Sequence, residues 1–127
     1  MAKSTKSSAK YVDGFLLPVQ TSKLKEYKKI SDKARKIYMK HGALSYIESM
    51  GDDMKIEGMT GFGDYVKHKK NEALVFSFIT YKSKADRNRI NKIVMADPGL
   101  MEDCMGKKMP FDMRKMAMGG FKVFVGE

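Results

Sequence analysis

Residues 73–99 read ALVFSFITYKSKADRNRINKIVMADPG and carry a strand, a helix start, a helix and a stop in succession. Ala73 to Lys82 is rich in β-branched and aromatic side chains, which suit the pleated surface of a sheet. Ser83 followed by Asp86 approximates a capping box, with Asp in place of Glu, so that the serine hydroxyl meets an otherwise unpaired backbone N–H. Ile90, Ile93 and Val94 mark one buried helical face running to about Ala96. Asp97-Pro98-Gly99 then ends the helix.

The same strand–helix pairing recurs upstream. Tyr11 to Val19 (YVDGFLLPV) reads as a strand with Pro18 near its end. Gln20-Thr21-Ser22 forms a turn and offers Thr21 or Ser22 as an N-cap. From Lys23 to His41, Leu24, Tyr27, Ala34, Tyr38 and His41 recur on one helical stripe flanked by Ile30 and Ile37. Gly42 supplies the left-handed residue that closes a helix cheaply. Ala43 to Met50 (ALSYIESM) is a second strand. Residues 51–72 form an excursion loosened by Gly58, Gly61 and Gly63, with Tyr65 and Val66 placed to pack back on the core. Residues 100–114 are rich in methionine and broken by Pro110, and Lys115 to Val125 (KMAMGGFKVFV) closes the chain as a strand.

The order is β-α-β, an excursion, then β-α-β, which predicts an α+β domain of the ferredoxin-like, split βαβ kind. Its four-stranded antiparallel sheet places strand three between strands one and two and strand four beside strand one. Both helices cover one face. The other face is apolar and bare, and monomers rarely leave such patches open. A homodimer packed sheet to sheet, a dimeric α/β barrel, is therefore expected. Residues 1–10 (MAKSTKSSAK) read as a disordered basic tail, and residues 11–127 as a single ferredoxin-like domain.

Composition narrows the function. The net charge is +10, and eleven of the 25 Lys and Arg stand against three acids within residues 1–41. Lys25, Lys28, Lys29, Lys33, Lys36 and Lys40 fall opposite the apolar stripe. Without interleaved aromatics they read as a solvated face, so no specific nucleic-acid partner is expected. The apolar runs are too short to span a membrane. The lone Cys104 and the lack of a secretory pattern predict a cytoplasmic protein. Met101, Met105, Met109, Met113, Met116 and Met118 lie near Cys104 and could suit Cu(I), but adaptable core filling is the plainer reading. His41 and His68 have no partner at zinc spacing, and no phosphate or dinucleotide fingerprint occurs. No metal and no cofactor is expected.

Strand alternation supplies the candidate site. Tyr11, Asp13, Phe15 and Leu17 share a face, as do Leu44, Tyr46, Glu48 and Met50, and Ser77, Ile79 and Tyr81. Asp13 and Glu48 are carboxylates in otherwise core-like strands, where a charge is costly unless paired. His41 ends the stripe of the first helix at the level of Tyr11 and Asp13. Asp13, His41, Tyr46 and Tyr81 are thus expected to converge, with Glu48 beside them. In a catalytic reading His41 is the general base, Asp13 orients it, and Tyr46, Tyr81 and Glu48 bind substrate. In a structural reading His41 closes the core, Asp13 caps or pairs, and the tyrosines are core aromatics.

The blocks YVDGFLLPV, KHGALSYIES, VFSFITYKSKADRN, VMADP, MPFD and GGFKVFV resemble, in order, the YbaA-like family of small bacterial proteins. The resemblance covers about residues 10–125. It implies membership of the dimeric α/β-barrel superfamily, whose other branches include cofactor-free monooxygenases, lactone isomerases and haem-binding enzymes. It carries over no catalytic motif. The chain departs in its basic tail, its glycine-rich loop and its methionine use. Together these readings predict a small-molecule-binding protein, with two forms left open. One is a cofactor-free enzyme abstracting a proton from an apolar cyclic or enolisable compound. The other is a non-catalytic ligand-binding or regulatory module using the same helix–sheet cavity.

Overall fold

A computed structural model describes residues 8–100 and 110–126. Most of the basic tail, and Met101, Cys104, Met105 and Met109, lie outside the described residues. The strands are β1 (Tyr11–Gln20), β2 (Ser45–Met50), β3 (Glu72–Tyr81) and β4 (Ala117–Lys122), and the helices are α1 (Leu24–Lys40) and α2 (Lys84–Met95). The sheet runs β2-β3-β1-β4, with every neighbouring pair antiparallel. This is the split βαβ order expected from the sequence. β2 and β4 are shorter than their sequence patterns suggest, and Lys10 already hydrogen-bonds to the carbonyl of Tyr81.

Local chemistry explains the element ends. The Ser83 hydroxyl accepts from the Asp86 N–H at 3.0 Å, so the cap read from the sequence forms. At α1 the expected cap does not. Thr21–Lys23 make a 3-10 turn, Lys23 is the N-cap without a side-chain bond, and Thr21 donates instead to the Asn71 carbonyl at 3.1 Å. At the other end His41 is the C-cap, and Gly42 follows at φ +114°, a conformation that other residues rarely adopt.

One face of the sheet packs under the helices. Ala43, Ile79, Tyr81, Ile90, Val94 and Leu100 form one core cluster, and Leu17, Val19 and Val75 form a second. Each such aliphatic side chain contributes roughly 1.5–3 kcal/mol on burial. All three strand faces grouped from the sequence point this way, since register places Asp13 beside Ile79, Glu48 beside Ser77 and Tyr11 beside Tyr81. Val66 is buried and Tyr65 is exposed, so only half of that pair packs back. The opposite face carries Ile47, Phe76 and Phe121, exposed by 47%, 41% and 63%. Phe62 of the excursion leans on Phe76 with ring centroids 6.1 Å apart. Among the described residues no helix is long and apolar enough to cross a membrane.

Candidate functional site

Asp13 sits near the middle of the sheet, on β1, and is only 3% exposed. A carboxylate there needs a counter-charge. α2 provides it. Arg87 Nε lies 3.7 Å from Asp13 Oδ1, close enough for an ion pair but too far for a hydrogen bond. Burial pushes the Asp13 carboxyl above its ordinary range, while Arg87, then Tyr81 and Asn91, pull it back. Arg87 is itself held: Nη2 donates to the Tyr11 hydroxyl at 2.9 Å, and the guanidinium lies over the Tyr11 ring at 4.9 Å. Gly120 of β4, opposite Asp13, makes this possible. A Cβ there would run into the Tyr11 hydroxyl and come within 2.9 Å of Arg87 Nη2.

Tyr81 is fully buried on β3 beside Asp13. Its hydroxyl and Arg87 Nε are both sealed from solvent, and both have Asp13 as partner, Arg87 through the ion pair and Tyr81 through a hydrogen bond that helps hold the carboxyl down. Tyr38 of α1 donates to Asn91 Oδ1 at 3.1 Å, and burial, followed by the Asp13 charge, pushes its hydroxyl up to about 12. A second polar group lies further along the layer. Tyr46 donates to Glu48 Oε2 at 2.8 Å and Tyr27 to Glu48 Oε1. Burial, followed by the Glu48 charge, raises both tyrosine hydroxyls well above their ordinary value. The Tyr38 and Tyr46 rings, 5.6 Å apart, join the two groups.

The expected convergence is therefore met in part. Asp13 and Tyr81 lie together, and Tyr46 and Glu48 bond each other one step away. His41 stands apart. Its imidazole makes no hydrogen bond or ion pair with Asp13, and its carbonyl accepts from Arg89 Nη2 at 2.9 Å. The reason is lateral. Near the end of α1 the Tyr38 ring packs on Tyr46 of β2, whereas Asp13 is on β1, with β3 between. Two strand spacings separate the strands by roughly 10 Å. Sequence reasoning passed over Arg87, Asn91, Tyr38 and Tyr11 as site residues. A signal existed for two of them, because Arg87, Ile90, Asn91 and Val94 follow helical spacing, so two polar residues ride on the buried stripe of α2.

Four cavities lined by described residues have neither His41 nor Asp13 in their walls. A cavity of about 750 Å³ lies in the excursion near Met54, Gly63 and His68, and neither Asp13 nor Glu48 lines it. Its polar groups serve local turns: Asp64 accepts from the Gly61 N–H, Glu72 from the Lys69 N–H, and His68 Nδ1 pairs with the Val66 carbonyl. A cavity of about 360 Å³ opens on the bare face beside Leu16, Met59, Phe62 and Phe76. A shallow groove along α2, lined by Asn88, Asn91, Lys92, Met95 and Ala96, reaches Asn91 from outside. Among the described residues no cluster could hold a metal ion, and Met113 and Met118 are exposed rather than gathered.

A split βαβ sheet with one helix-covered face and one open apolar face defines a ferredoxin-like protein, and solved structures agree. The chain is similar to a dimeric ferredoxin-like protein from an uncultured marine organism, with 14% identity, a TM-score of 0.58, and coverage of 95% of this chain and 92% of that one. It is also similar in fold to a variant of SnoaB, a cofactor-independent oxygenase from Streptomyces nogalater, with 11% identity, a TM-score of 0.53, and coverage of 93% and 97%. The chain belongs to the family described as Protein of unknown function (DUF1428), whose model matches residues 10–113. It is 38% identical over 118 residues to the uncharacterized protein YbaA of Escherichia coli (strain K12), covering 93% of this chain and 99% of that protein.

Proposed function

We propose that this protein binds a small apolar, cyclic or enolisable compound at the Asp13 cluster and can take a proton from it. The single observation that carries the reading is a carboxylate buried on a central strand, with the Arg87 guanidinium 3.7 Å away as its counter-charge and the Tyr81 hydroxyl beside it. Burial lifts the basicity of Asp13, so it is better matched to proton transfer near neutral pH than an exposed aspartate. The general-base role first given to His41 passes to Asp13 in this reading. Tyr46 and Glu48, bonded to each other, shape the layer rather than touch the ligand.

The working unit is a homodimer. Ile47, Phe76 and Phe121 give the sheet an apolar face that a second copy would cover. The solved relatives described as dimeric share the fold and support this assembly.

The test uses a panel of cyclic ketones, β-diketones and phenols in heavy water. Proton NMR should show faster exchange of an acidic C–H for deuterium with wild-type protein, and Asp13→Ala should abolish it. Binding without exchange would favour the non-catalytic module. A panel that neither shifts the melting temperature nor exchanges would discard the site.

A further inference from the structure

A groove at the end of β1 away from Tyr11 shares no residue with the Asp13 cluster. It encloses about 440 Å³, and Lys23, Lys69 and Lys115 line it together with Pro18, Pro110 and Phe111. Three separate turns carry the lysines, and each turn is held in place. Thr21 gives both its N–H and its hydroxyl to the Asn71 carbonyl, at 2.8 and 3.1 Å, which ties the turn of Lys23 to the turn of Lys69. In that second turn Glu72 Oε1 accepts from the Lys69 N–H at 2.7 Å, and the Glu72 N–H returns to the Lys69 carbonyl at 3.0 Å. The third turn, Met113–Lys115, is capped by Asp112. Phe111 anchors it, meeting the Tyr27 ring of α1 edge to face at 5.5 Å.

The charges that line this groove do not cancel. Glu72 is committed to the Lys69 N–H, and Arg114 takes both oxygens of Asp112 through bonds of 3.0 and 3.1 Å. Lys23, Lys69 and Lys115 make no ion pair among the described residues. Three ammonium groups around one concavity repel one another until an anion stands between them. Lysine meets a phosphate as a point charge, whereas a planar carboxylate is matched best by the fork of an arginine. The floor is apolar and firm. Pro18 and Pro110 are buried, and Phe111 packs on the second core cluster. A pocket of this volume admits a ring-sized organic group beside the phosphate. We infer that the groove binds a small organic phosphate monoester, with the phosphate among Lys23, Lys69 and Lys115 and the apolar body on Pro18, Pro110 and Phe111.

The test is isothermal titration calorimetry near physiological ionic strength, with phenyl phosphate as the probe and inorganic phosphate and benzoate as comparisons. Wild-type protein should bind phenyl phosphate about 10-fold more tightly than either, since only this probe offers both a phosphate and a ring. Lys69→Gln and Lys115→Gln should each weaken binding by about 5-fold, the loss of one partly solvated ion pair, and the double variant should be weaker than both. Lys25→Gln removes the same charge from the exposed side of α1, outside the groove, and should bind as wild type does. No binding at millimolar phenyl phosphate, or equal binding of benzoate or inorganic phosphate, would overturn the inference. So would a loss in Lys25→Gln as large as that in Lys115→Gln, which would assign the attraction to net charge alone. Asp13→Asn should leave phenyl phosphate binding unchanged, so the groove and the Asp13 site are judged separately. Binding abolished in Asp13→Asn and kept in the lysine variants would move the probe to the Asp13 site and end the case for the groove.

Discussion

Arg87 Nε and Asp13 Oδ1 stand 3.7 Å apart, the carboxylate side chain 5% exposed and the arginine 23%. The pair joins α2 to β1 beneath the helix layer. At that separation Arg87 compensates the charge of the carboxylate, and Tyr81 and Asn91 add hydrogen bonds to it. Burial outweighs the arginine, and the net effect is a carboxyl titrating above its ordinary value.

The sign of the pH effect follows. A carboxyl whose folded value is raised favours the folded state below its unfolded value, and that advantage is lost as pH rises through the folded value. Asp13→Asn removes the titration. Chemical denaturation across acidic to neutral pH should therefore show the variant gaining stability relative to wild type as pH increases. A stability difference that stays flat with pH would show that Asp13 does not titrate in this way.

Gly119 and Gly120 are neighbours on β4 with opposite duties. A Cβ at Gly120 meets the Tyr11 hydroxyl and Arg87 Nη2, whereas one at Gly119 meets only the Phe121 ring at 3.7 Å, an ordinary contact. Gly120→Ala should cost about 1–3 kcal/mol through overpacking. Gly119→Ala should cost less than Gly120→Ala. Equal melting temperatures for the two variants would contradict this account of the Arg87 cradle.

Glu48 accepts from both Tyr27 and Tyr46, and its charge helps keep their protons in place. Glu48→Gln should lower the apparent ionisation range of these tyrosines, read by ultraviolet titration. It should also cost about 1 kcal/mol from weaker hydrogen bonds. Tyr38, pushed up to about 12, adds an alkaline limit. Stability should hold below the ordinary tyrosine value and fall as pH climbs from about 10 toward 12, where the unfolded chain ionises first.

The bare face gives a test of assembly. Phe76→Asp places a charge at its centre, on β3, away from the helix-covered core. Light scattering should report twice the chain mass for wild type and the single-chain mass for the variant, with helix content unchanged. A wild-type protein at single-chain mass at micromolar concentration would refute the homodimer.

Much of the fold was legible in the chain. The alternation Tyr11, Asp13, Phe15, Leu17 and the run at Ser77, Ile79, Tyr81 were each read as one strand face, and the register sets both on the side that the helices cover. The Ser83–Asp86 cap was legible as well. These signals are local, set by a two-residue repeat, a 3.6-residue repeat and one hydroxyl three positions from its N–H. The α1 cap was misread because Thr21 reaches Asn71, 50 residues away, which no local pattern reveals.

The site divides along the same line. The sequence by itself grouped Asp13 with Tyr11, Phe15 and Leu17, Tyr46 with Glu48, and Tyr81 with Ile79 and Ser77, because strand periodicity fixes which side chains of one strand point the same way; the register turned all three groups to the helix side. Only the tertiary structure decided their partners. Arg87, rather than His41, stands beside Asp13 because α2 bears on β1 while the end of α1 bears on the β2 side, with β3 between. That choice depends on how two helices share the width of one twisted sheet. It is a property of packing among residues more than 70 positions apart, and no short stretch of the chain carries it.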